Sequence, residues 1–199
     1  MQEQVILVDE NDNEIGTEEK QKAHIEGKLH RAFSVFVFNP KGELLIQRRA
    51  LDKYHSAGLW TNTCCSHPRQ GEATIDAAHR RLKEELGFDC EIKEIHSFIY
   101  KKAFKNGLTE HEFDHVFVGF YDDRINDNNQ NNDKKNNQDK DNHNDEKKNK
   151  NNIMFNKKEI EEYKFIALDE LKKDIQRNPD KYTYWFKILI DKIDFSKYL

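Results

Sequence analysis

The stretch from Trp60 to Phe88 constrains the fold of this chain more than any other. Its sequence, WTNTCCSHPRQGEATIDAAHRRLKEELGF, predicts an extended segment, a loop that contains Pro and Gly, and a helix that ends at Gly87. Because side chains alternate along a strand, we expect Cys65 and His67 on one face and Cys64 on the other. A strand–loop–helix unit would therefore carry a thiol and an imidazole on the same face of a sheet.

The helical part of this stretch has an apolar stripe. Four positions separated by three or four residues are expected to be buried, namely Ile75, Ala78, Leu82 and Leu86. At about 100° per residue, Glu85 falls on the flank of this stripe beside Arg81, whereas Glu84 points away from it. We therefore expect a carboxylate and a guanidinium close to Cys65 and His67.

The same stretch resembles the Nudix box, a motif in which Gly, Glu and Arg residues stand at fixed spacings. Its last Gly would be the residue at which the helix ends. Six positions match at the correct spacing, namely Glu72, Arg80, Leu82, Glu84, Glu85 and Gly87. Two positions depart from it: Ser66 stands where the first Gly is expected, and Arg81 where a Glu is expected. The resemblance implies an α/β fold, a Nudix-type α/β/α sandwich with a mixed β-sheet. The departure at Arg81 removes a carboxylate that a hydrolase of nucleoside diphosphates needs for its metal ions.

A longer part of the chain resembles the type I isopentenyl-diphosphate isomerases of the Nudix superfamily. The resemblance is carried by His24, His30, RRALDK at 48–53, GLWTNTCCSHP at 58–68, RRLKEELG at 80–87 and Glu-His-Glu at 110–112. It covers residues 5–122 and continues weakly through Tyr184 and Trp185. It implies an enzyme of isoprenoid biosynthesis that interconverts isopentenyl and dimethylallyl diphosphate through a tertiary carbocation.

The resemblance also implies a metal site and an acid–base pair. One divalent ion, Mn²⁺, Mg²⁺ or Zn²⁺, would be held by His24, His30, His67, Glu110 and Glu112. Glu110 and Glu112 can share one ion because residues two apart lie on one strand face. Cys65 and Glu112 would act as acid and base, in an order that the sequence leaves open, with Tyr100 hydrogen-bonded on the carboxylate side.

The remaining matched residues would bind the substrate. Basic side chains suit a diphosphate, and the matches are Lys20, Arg49, Lys53 and Arg81. Glu85 would hold a Mg²⁺ that bridges the diphosphate, and Trp60 and Trp185 would face the carbocation. Purely structural roles are also possible for some of these residues. Glu85 and Arg81 could form an ion pair along the helix, and the two Trp residues and Cys65 could pack in the core.

Patterning along the rest of the chain predicts a single domain over residues 1–199. Strands are predicted at 4–8, 31–38, 43–48, 91–104, 110–121 and 161–168, and helices at 17–24, 168–177 and 179–193, with a turn over 9–16. Residues 126–152 are almost wholly Asn, Asp, Lys and Gln. Such a segment cannot bury enough apolar area to offset its ordering entropy, so we predict a disordered insertion.

Composition narrows the class of protein further. A net charge of −4 argues against nucleic-acid or anionic membrane partners. The sequence shows no apolar run of membrane-spanning length and no signal peptide. Its three cysteines make no disulfide framework. We therefore expect a cytoplasmic monomer that acts on a small molecule. Two other functions stay open, a Nudix hydrolase of a nucleoside diphosphate derivative and a non-catalytic metal- or phosphate-binding scaffold.

Overall fold

The structure, a computed structural model, describes residues 3–53, 55–122 and 153–199. Within these ranges the strands are β1 (Gln4–Val8), β2 (Glu14–Glu19), β3 (His30–Phe38), β4 (Glu43–Arg49), β5 (Trp60–Thr61), β6 (Cys64–Ser66), β7 (Ile92–Ala103), β8 (Thr109–Phe120) and β9 (Ile160–Ala167). The helices are α1 (Lys20–Glu26), α2 (Thr74–Leu86), α3 (Leu168–Arg177) and α4 (Tyr184–Lys192), with 3₁₀ turns at Pro179–Lys181 and Phe195–Tyr198. The predicted disordered insertion, 126–152, lies outside the described residues.

Strand β3 lies at the centre of one mixed sheet. It pairs in parallel with β8 over its whole length, from His30 opposite Glu112 to Phe38 opposite Phe120. Its other edge pairs antiparallel with β1, β6 and β4 in turn. Strands β7 and β9 extend the sheet through β8 and β4. The parallel β3–β8 pair places residues from both halves of the chain side by side.

Alternation along β3 divides the core into two layers. Phe33, with Val35 and Val37, packs on the α2 side against Leu82 and its neighbours. Phe36 and Phe38 pack on the opposite side with Phe186 of α4. Each such fully buried large side chain contributes about 1.5–3 kcal/mol of burial free energy. Helices on both faces of a mixed sheet confirm the predicted α/β class and its layers.

The prediction for the N-terminal region was wrong in one place. Residues 9–16 were predicted as a turn and 17–24 as a helix, but β2 occupies Glu14–Glu19 and α1 begins only at Lys20. The cause is tertiary, because β2 finds hydrogen-bond partners along β1, with Ile6 opposite Thr17. The turn before it is tight, and the Asp9 carboxylate closes it by accepting the backbone N–H groups of two Asn residues.

The single helix predicted at 179–193 is interrupted. A 3₁₀ turn ends at Lys181, and α4 begins only at Tyr184. Between them Tyr182 bridges to Trp60, and the N–H of Thr183 donates to the Trp60 carbonyl at 2.9 Å. Pairing with β5 therefore replaces helical hydrogen bonds at this point.

The predicted stripe of α2 was wrong at its first position. Ile75 is 41% exposed, whereas Ala77 and Glu85 are buried together with the other predicted residues. Angular periodicity predicts a helix face correctly but does not show where along the axis the packed layer begins. The other predicted elements agree with the structure to within one residue at either end. Within the described ranges, no helix is long and apolar enough to span a bilayer.

Candidate active site

A cavity of about 410 Å³ opens on the face of the sheet that carries Cys65 and Glu112. Twelve of the fourteen predicted site residues line it, namely Lys20, His24, Arg49, Lys53, Cys65, His67, Arg81, Glu85, Tyr100, Glu110, Glu112 and Trp185. His30 lies immediately behind this wall, fully buried. Trp60 lies elsewhere. The structure thus brings together residues that are widely separated in sequence.

Sheet register explains why the catalytic candidates converge. Glu112 of β8 lies opposite His30 of β3 on one side and opposite Tyr100 of β7 on the other. Cys65 of β6 lies opposite Ser34, on the same face of β3 as His30. A carboxylate, an imidazole, a phenol and a thiol therefore project from four adjacent strands toward one cavity.

Three imidazoles and one carboxylate form a compact group. The ligand atoms of His24, His30, His67 and Glu112 all lie within 4.8 Å of one another. Nδ1 of His24 donates to the Lys20 carbonyl at 2.7 Å, and Nδ1 of His30 donates to a carbonyl at 2.8 Å. Since a carbonyl can only accept, Nδ1 carries a proton in both rings, which leaves Nε2 as the atom that can bind a cation.

The surroundings of these imidazoles fit a metal ion. Nε2 of His30 is buried, lies 3.7 Å from Glu112 Oε1 and has no hydrogen-bond partner among the described residues. A buried lone pair without a donor is costly unless a cation binds it. Burial lowers the pKa of His24 and of His67 to about 4, so both rings are neutral near pH 7, as metal ligands must be.

Glu112 is ionised in this setting. Burial opposes its ionisation, but the imidazoles of His30 and His67 outweigh burial and hold the pKa of Glu112 well below its usual range. Nε2 of His67 lies 3.2 Å from Oε1, and the Tyr100 hydroxyl donates to Oε2 at 2.6 Å. Burial raises the pKa of Tyr100 well above its ordinary value, so Tyr100 is a stable donor.

Glu110 lies beside the four-residue group rather than within it. Its carboxylate accepts a hydrogen bond from Tyr100 at 3.2 Å and lies 3.5 Å from Nδ1 of His55. Burial and the neighbouring charge of Glu112 raise the pKa of Glu110. Its role as a metal ligand stays a prediction. His55, which also lines the cavity, was missed because it comes from a loop without periodicity.

The two adjacent cysteines face opposite sides of the sheet, as strand alternation predicts. Cys64 is fully buried in the α2 layer, whereas Cys65 lines the cavity. Burial raises the pKa of Cys65 to about 12, so it is a neutral thiol near pH 7. A protonated thiol and an ionised carboxylate thus line one cavity.

Four basic residues line the same cavity, and most of them are paired with carboxylates. The Lys20 ammonium lies 3.1 Å from Glu3, and that of Lys53 is bonded to Glu159. Glu159 was not predicted, because the resemblance fades before this part of the chain. Arg49 differs, since its Nε is buried without a hydrogen-bond partner among the described residues.

Glu85 and Arg81 form the helix pair that their spacing allows. Nη2 of Arg81 donates to Glu85 Oε1 at 2.6 Å, and Gln47 donates to Oε2 at 2.9 Å. Glu85 is 4% exposed, whereas Glu84 faces solvent. Burial opposes the charge of Arg81, but Glu85 outweighs it and raises the pKa of the guanidinium.

The two tryptophans occupy different environments. Trp185 is buried in the cavity wall, with Nε1 donating to Asn62 at 3.3 Å and the Arg49 guanidinium 5.6 Å from its ring centre. Trp60 pairs with Arg48 across β5 and β4, and its ring faces Lys164 at 4.5 Å. Of the two rings predicted to face the substrate, the structure brings only Trp185 into the cavity.

Comparisons with known proteins give two kinds of match. A family model described as NUDIX domain matches residues 28–186. "Isopentenyl-diphosphate Delta-isomerase 2" of Photorhabdus laumondii is 45% identical over 196 residues, which cover 98% of this chain and 95% of that protein. The protein of the same description from Aromatoleum aromaticum is 44% identical over 193 residues, covering 97% and 87%.

A solved structure supports the fold. DR0079 from Deinococcus radiodurans superposes with a TM-score of 0.69 over 96% of this chain and 98% of that one. Since the two sequences are only 17% identical, this likeness concerns the fold alone.

Proposed function

The chain belongs to the isopentenyl-diphosphate Delta-isomerases of the Nudix domain family, and we propose that Cys65 and Glu112 are its acid–base pair. The enzyme interconverts isopentenyl diphosphate and dimethylallyl diphosphate by moving one C=C bond. One observation carries the assignment of the pair: a half-buried thiol and a buried carboxylate line the same cavity, together with four cations.

The reaction needs a proton added at one carbon and another proton removed two carbons away. Cys65 and Glu112 are suited to these steps because they project into one cavity from β6 and β8, the strands on either side of β3. Tyr100 holds Glu112 through a 2.6 Å hydrogen bond and so orients its carboxylate. The intermediate is a tertiary carbocation, which survives only where water is excluded and its charge is stabilised. The ring of Trp185 provides such an aromatic face, worth about 0.5–2 kcal/mol.

A divalent ion fits the imidazole group. His24, His30, His67 and Glu112 would hold it together with Glu110, and Mn²⁺, Mg²⁺ and Zn²⁺ all suit nitrogen and oxygen ligands. When bound, the ion supplies a fixed positive charge that changes the acidity of Glu112. A second ion, Mg²⁺, would be held by Glu85 beside the diphosphate.

The diphosphate itself would be held by Lys20, Arg49, Lys53 and Arg81. All four line the cavity, and the buried Nε of Arg49 has no hydrogen-bond partner among the described residues, a role that a phosphate oxygen could fill. These cations line a cavity, whereas the protein as a whole has a net charge of −4. This distribution of charge favours a small anionic substrate over nucleic acid or a membrane surface. A cytoplasmic monomer is the expectation from the sequence.

Hydrolysis of a nucleoside diphosphate is less well supported. The position at which a Nudix hydrolase needs a carboxylate holds Arg81, whose guanidinium already pairs with Glu85. A cation there grips a diphosphate rather than assembling the metal ions that cleave it. A non-catalytic scaffold is also disfavoured, because binding a diphosphate needs neither a thiol nor a buried carboxylate.

The decisive experiment follows solvent deuterium. The protein is incubated with isopentenyl diphosphate and Mg²⁺ in D₂O, and the mixture is followed by proton NMR. We expect deuterium in a methyl group of dimethylallyl diphosphate, and then at C2 as the reaction reverses, with the diphosphate intact. Cleavage of a nucleotide or sugar diphosphate without deuterium uptake would favour the hydrolase. Substrate binding without turnover in metal-loaded protein would favour the scaffold.

A further inference from the structure

One carboxylate in the wall of the cavity has no part in the chemistry above. Glu159 immediately precedes β9 and lines the same cavity as the cations proposed to bind diphosphate. The inference below concerns its effect on that binding, and so it rests on the proposed function.

The backbone fixes Glu159 between α2 and β4. The carbonyl of Glu159 accepts the N–H of Ala50 at 3.0 Å, next to the end of β4. Its own N–H donates to the Asn156 carbonyl at 2.9 Å, and the N–H of Asn156 donates to the carbonyl of Glu85 at 2.8 Å. The segment is thus tied to α2, which carries Arg81, and to the residue that follows β4, the strand that ends at Arg49. Glu159 is therefore held at this place by the fold.

The side chain of Glu159 contacts two of the proposed diphosphate ligands. Its Oε2 is bonded to the ammonium of Lys53 and lies 3.4 Å from Nη2 of Arg81. Burial opposes the ionisation of Glu159, but Lys53 and Arg81 outweigh burial and lower its pKa. A carboxylate anion therefore bridges the two cations.

The same cations have few donors to spare. Nη1 of Arg81 is 2.8 Å from Glu84, and its Nε and Nη2 both donate to Glu85. For Lys53 the charged partner found is Glu159. A phosphate oxygen that approaches these groups must share or replace the oxygen of a carboxylate, and it is repelled by that carboxylate at short range.

We propose that Glu159 is an internal competitor of the substrate, whose carboxylate occupies Lys53 and Arg81 in the empty site and gives way to the diphosphate. Of the carboxylates around Arg81, Glu159 is the one suited to yield. Glu85 is more deeply buried and is also held by Gln47, whereas Glu84 lies outside the cavity wall. Glu159 lowers the affinity of the site for diphosphate and, by returning to the cations, speeds the release of the product.

The test compares Glu159→Gln with Glu162→Gln. Glutamine keeps the shape of the side chain and leaves the backbone hydrogen bonds in place, and the melting temperature checks the fold. Glu162 lies on β9, three residues after Glu159, is half exposed and pairs with Arg48 at 2.9 Å outside the cavity, so it controls for a general loss of negative charge. The probe is inorganic diphosphate with Mg²⁺, measured by calorimetry, and release is measured by stopped-flow displacement.

We expect Glu159→Gln to bind inorganic diphosphate about fivefold tighter, with a slower release rate and a lower KM for isopentenyl diphosphate. Glu162→Gln should match the wild type. Unchanged or weaker binding in Glu159→Gln would overturn the proposal, because Glu159 would then orient the cations rather than compete for them. If Glu159→Gln fails to fold, Glu159→Ala is measured in the same way.

A second background separates direct competition from long-range repulsion. Lys53→Met removes the principal group over which the two anions compete. The increase in affinity for inorganic diphosphate that Glu159→Gln produces should therefore be smaller in the Lys53→Met protein. A gain of the same size would contradict direct competition. If the wild type isomerises the substrate but Glu159→Gln does not change diphosphate binding, this inference alone is refuted. If the wild type does not bind diphosphate at all, the proposed function is refuted as well.

Discussion

The carboxylate of Glu112 is shared by two kinds of neighbour. Oε2 accepts the hydrogen bond from Tyr100 at 2.6 Å, whereas Oε1 faces His67 at 3.2 Å and His30 at 3.7 Å. One oxygen thus faces the imidazoles of His30 and His67, and the other faces the phenol of Tyr100. A single side chain can therefore take part in ion binding and in proton transfer at the same time.

The adjacent cysteines offer a matched pair of variants. We expect Cys65→Ala to fold normally and to lose at least about 10²-fold of turnover, the usual scale for a missing acid–base group. Cys64→Ala should retain most activity but lose about 1 kcal/mol of unfolding free energy, because Cys64 is fully buried in the α2 layer. Turnover and urea unfolding are measured for both. Comparable turnover in the two variants would remove Cys65 from the mechanism.

The imidazoles make the stability of metal-free protein depend on pH. The pKa values of His24 and His67 fall from 6.5 when unfolded to about 4 when folded, so the unfolded chain binds more protons between these values. Unfolding free energy should therefore fall as the pH drops from 6.5 to 4, by up to about 3 kcal/mol for each imidazole. Urea unfolding in chelator across this range measures it. A flat profile would show that the rings are not buried as neutral groups.

At the scale of elements, the end of α2 packs closely against the segment that precedes β9. Gly87 ends the helix with a φ of 69°, and a Cβ placed there would lie 2.5 Å from the carbonyl oxygen of Met154. Both the backbone conformation and the available space therefore disfavour any side chain at Gly87.

Gly87→Ala tests this junction. We expect a loss of at least about 2 kcal/mol of unfolding free energy, since the left-handed conformation alone costs 1–2 kcal/mol and the clash with Met154 adds to it. Gly71→Ala is the control, because Gly71 has a φ of 75° but nothing within 4 Å of its Cβ position. Equal losses in the two variants, measured by urea unfolding, would show that the close approach of Met154 does not matter.

Sequence patterns predicted correctly those elements in which the buried side chains recur with the period of the strand or helix itself. Alternation around Cys64 and Cys65 gave the correct faces, and the 3.6-residue period placed Glu85 correctly beside Arg81. Strand β2 was missed because its hydrogen-bond partners lie on β1, which no local pattern reveals. His55 and Glu159 were missed for a related reason. They lie outside helices and strands, where position depends on contacts with distant segments.

At the scale of the whole molecule, the imidazole group joins elements that are distant in sequence. Its members come from α1, β3, β8 and the segment after β6. An ion bound by all of them would stabilise the folded state, because the unfolded chain cannot hold these ligands together.

Removal of metal tests this coupling. A chelator should abolish turnover and lower the melting temperature, and Mn²⁺, Mg²⁺ or Zn²⁺ should restore both. Glu112→Gln should lose turnover even in metal-loaded protein, whereas Glu110→Gln should mainly weaken metal affinity, measured by calorimetry. Full turnover in protein shown to be free of metal would contradict the proposed centre.

The parallel pairing of β3 with β8 also affects how the chain acquires its fold. Ser34 and Asp114, whose side chains are hydrogen-bonded at 2.9 Å across these strands, are 80 residues apart. Contacts of such high sequence separation must overcome a large loop-closure entropy before they contribute any stability, and they slow the folding of a domain. During synthesis, β3 leaves the ribosome long before β8 exists, with one of its edges lacking its eventual partner. The emerging chain therefore depends on the completion of β8 both for its protection from aggregation and for its first catalytic turnover.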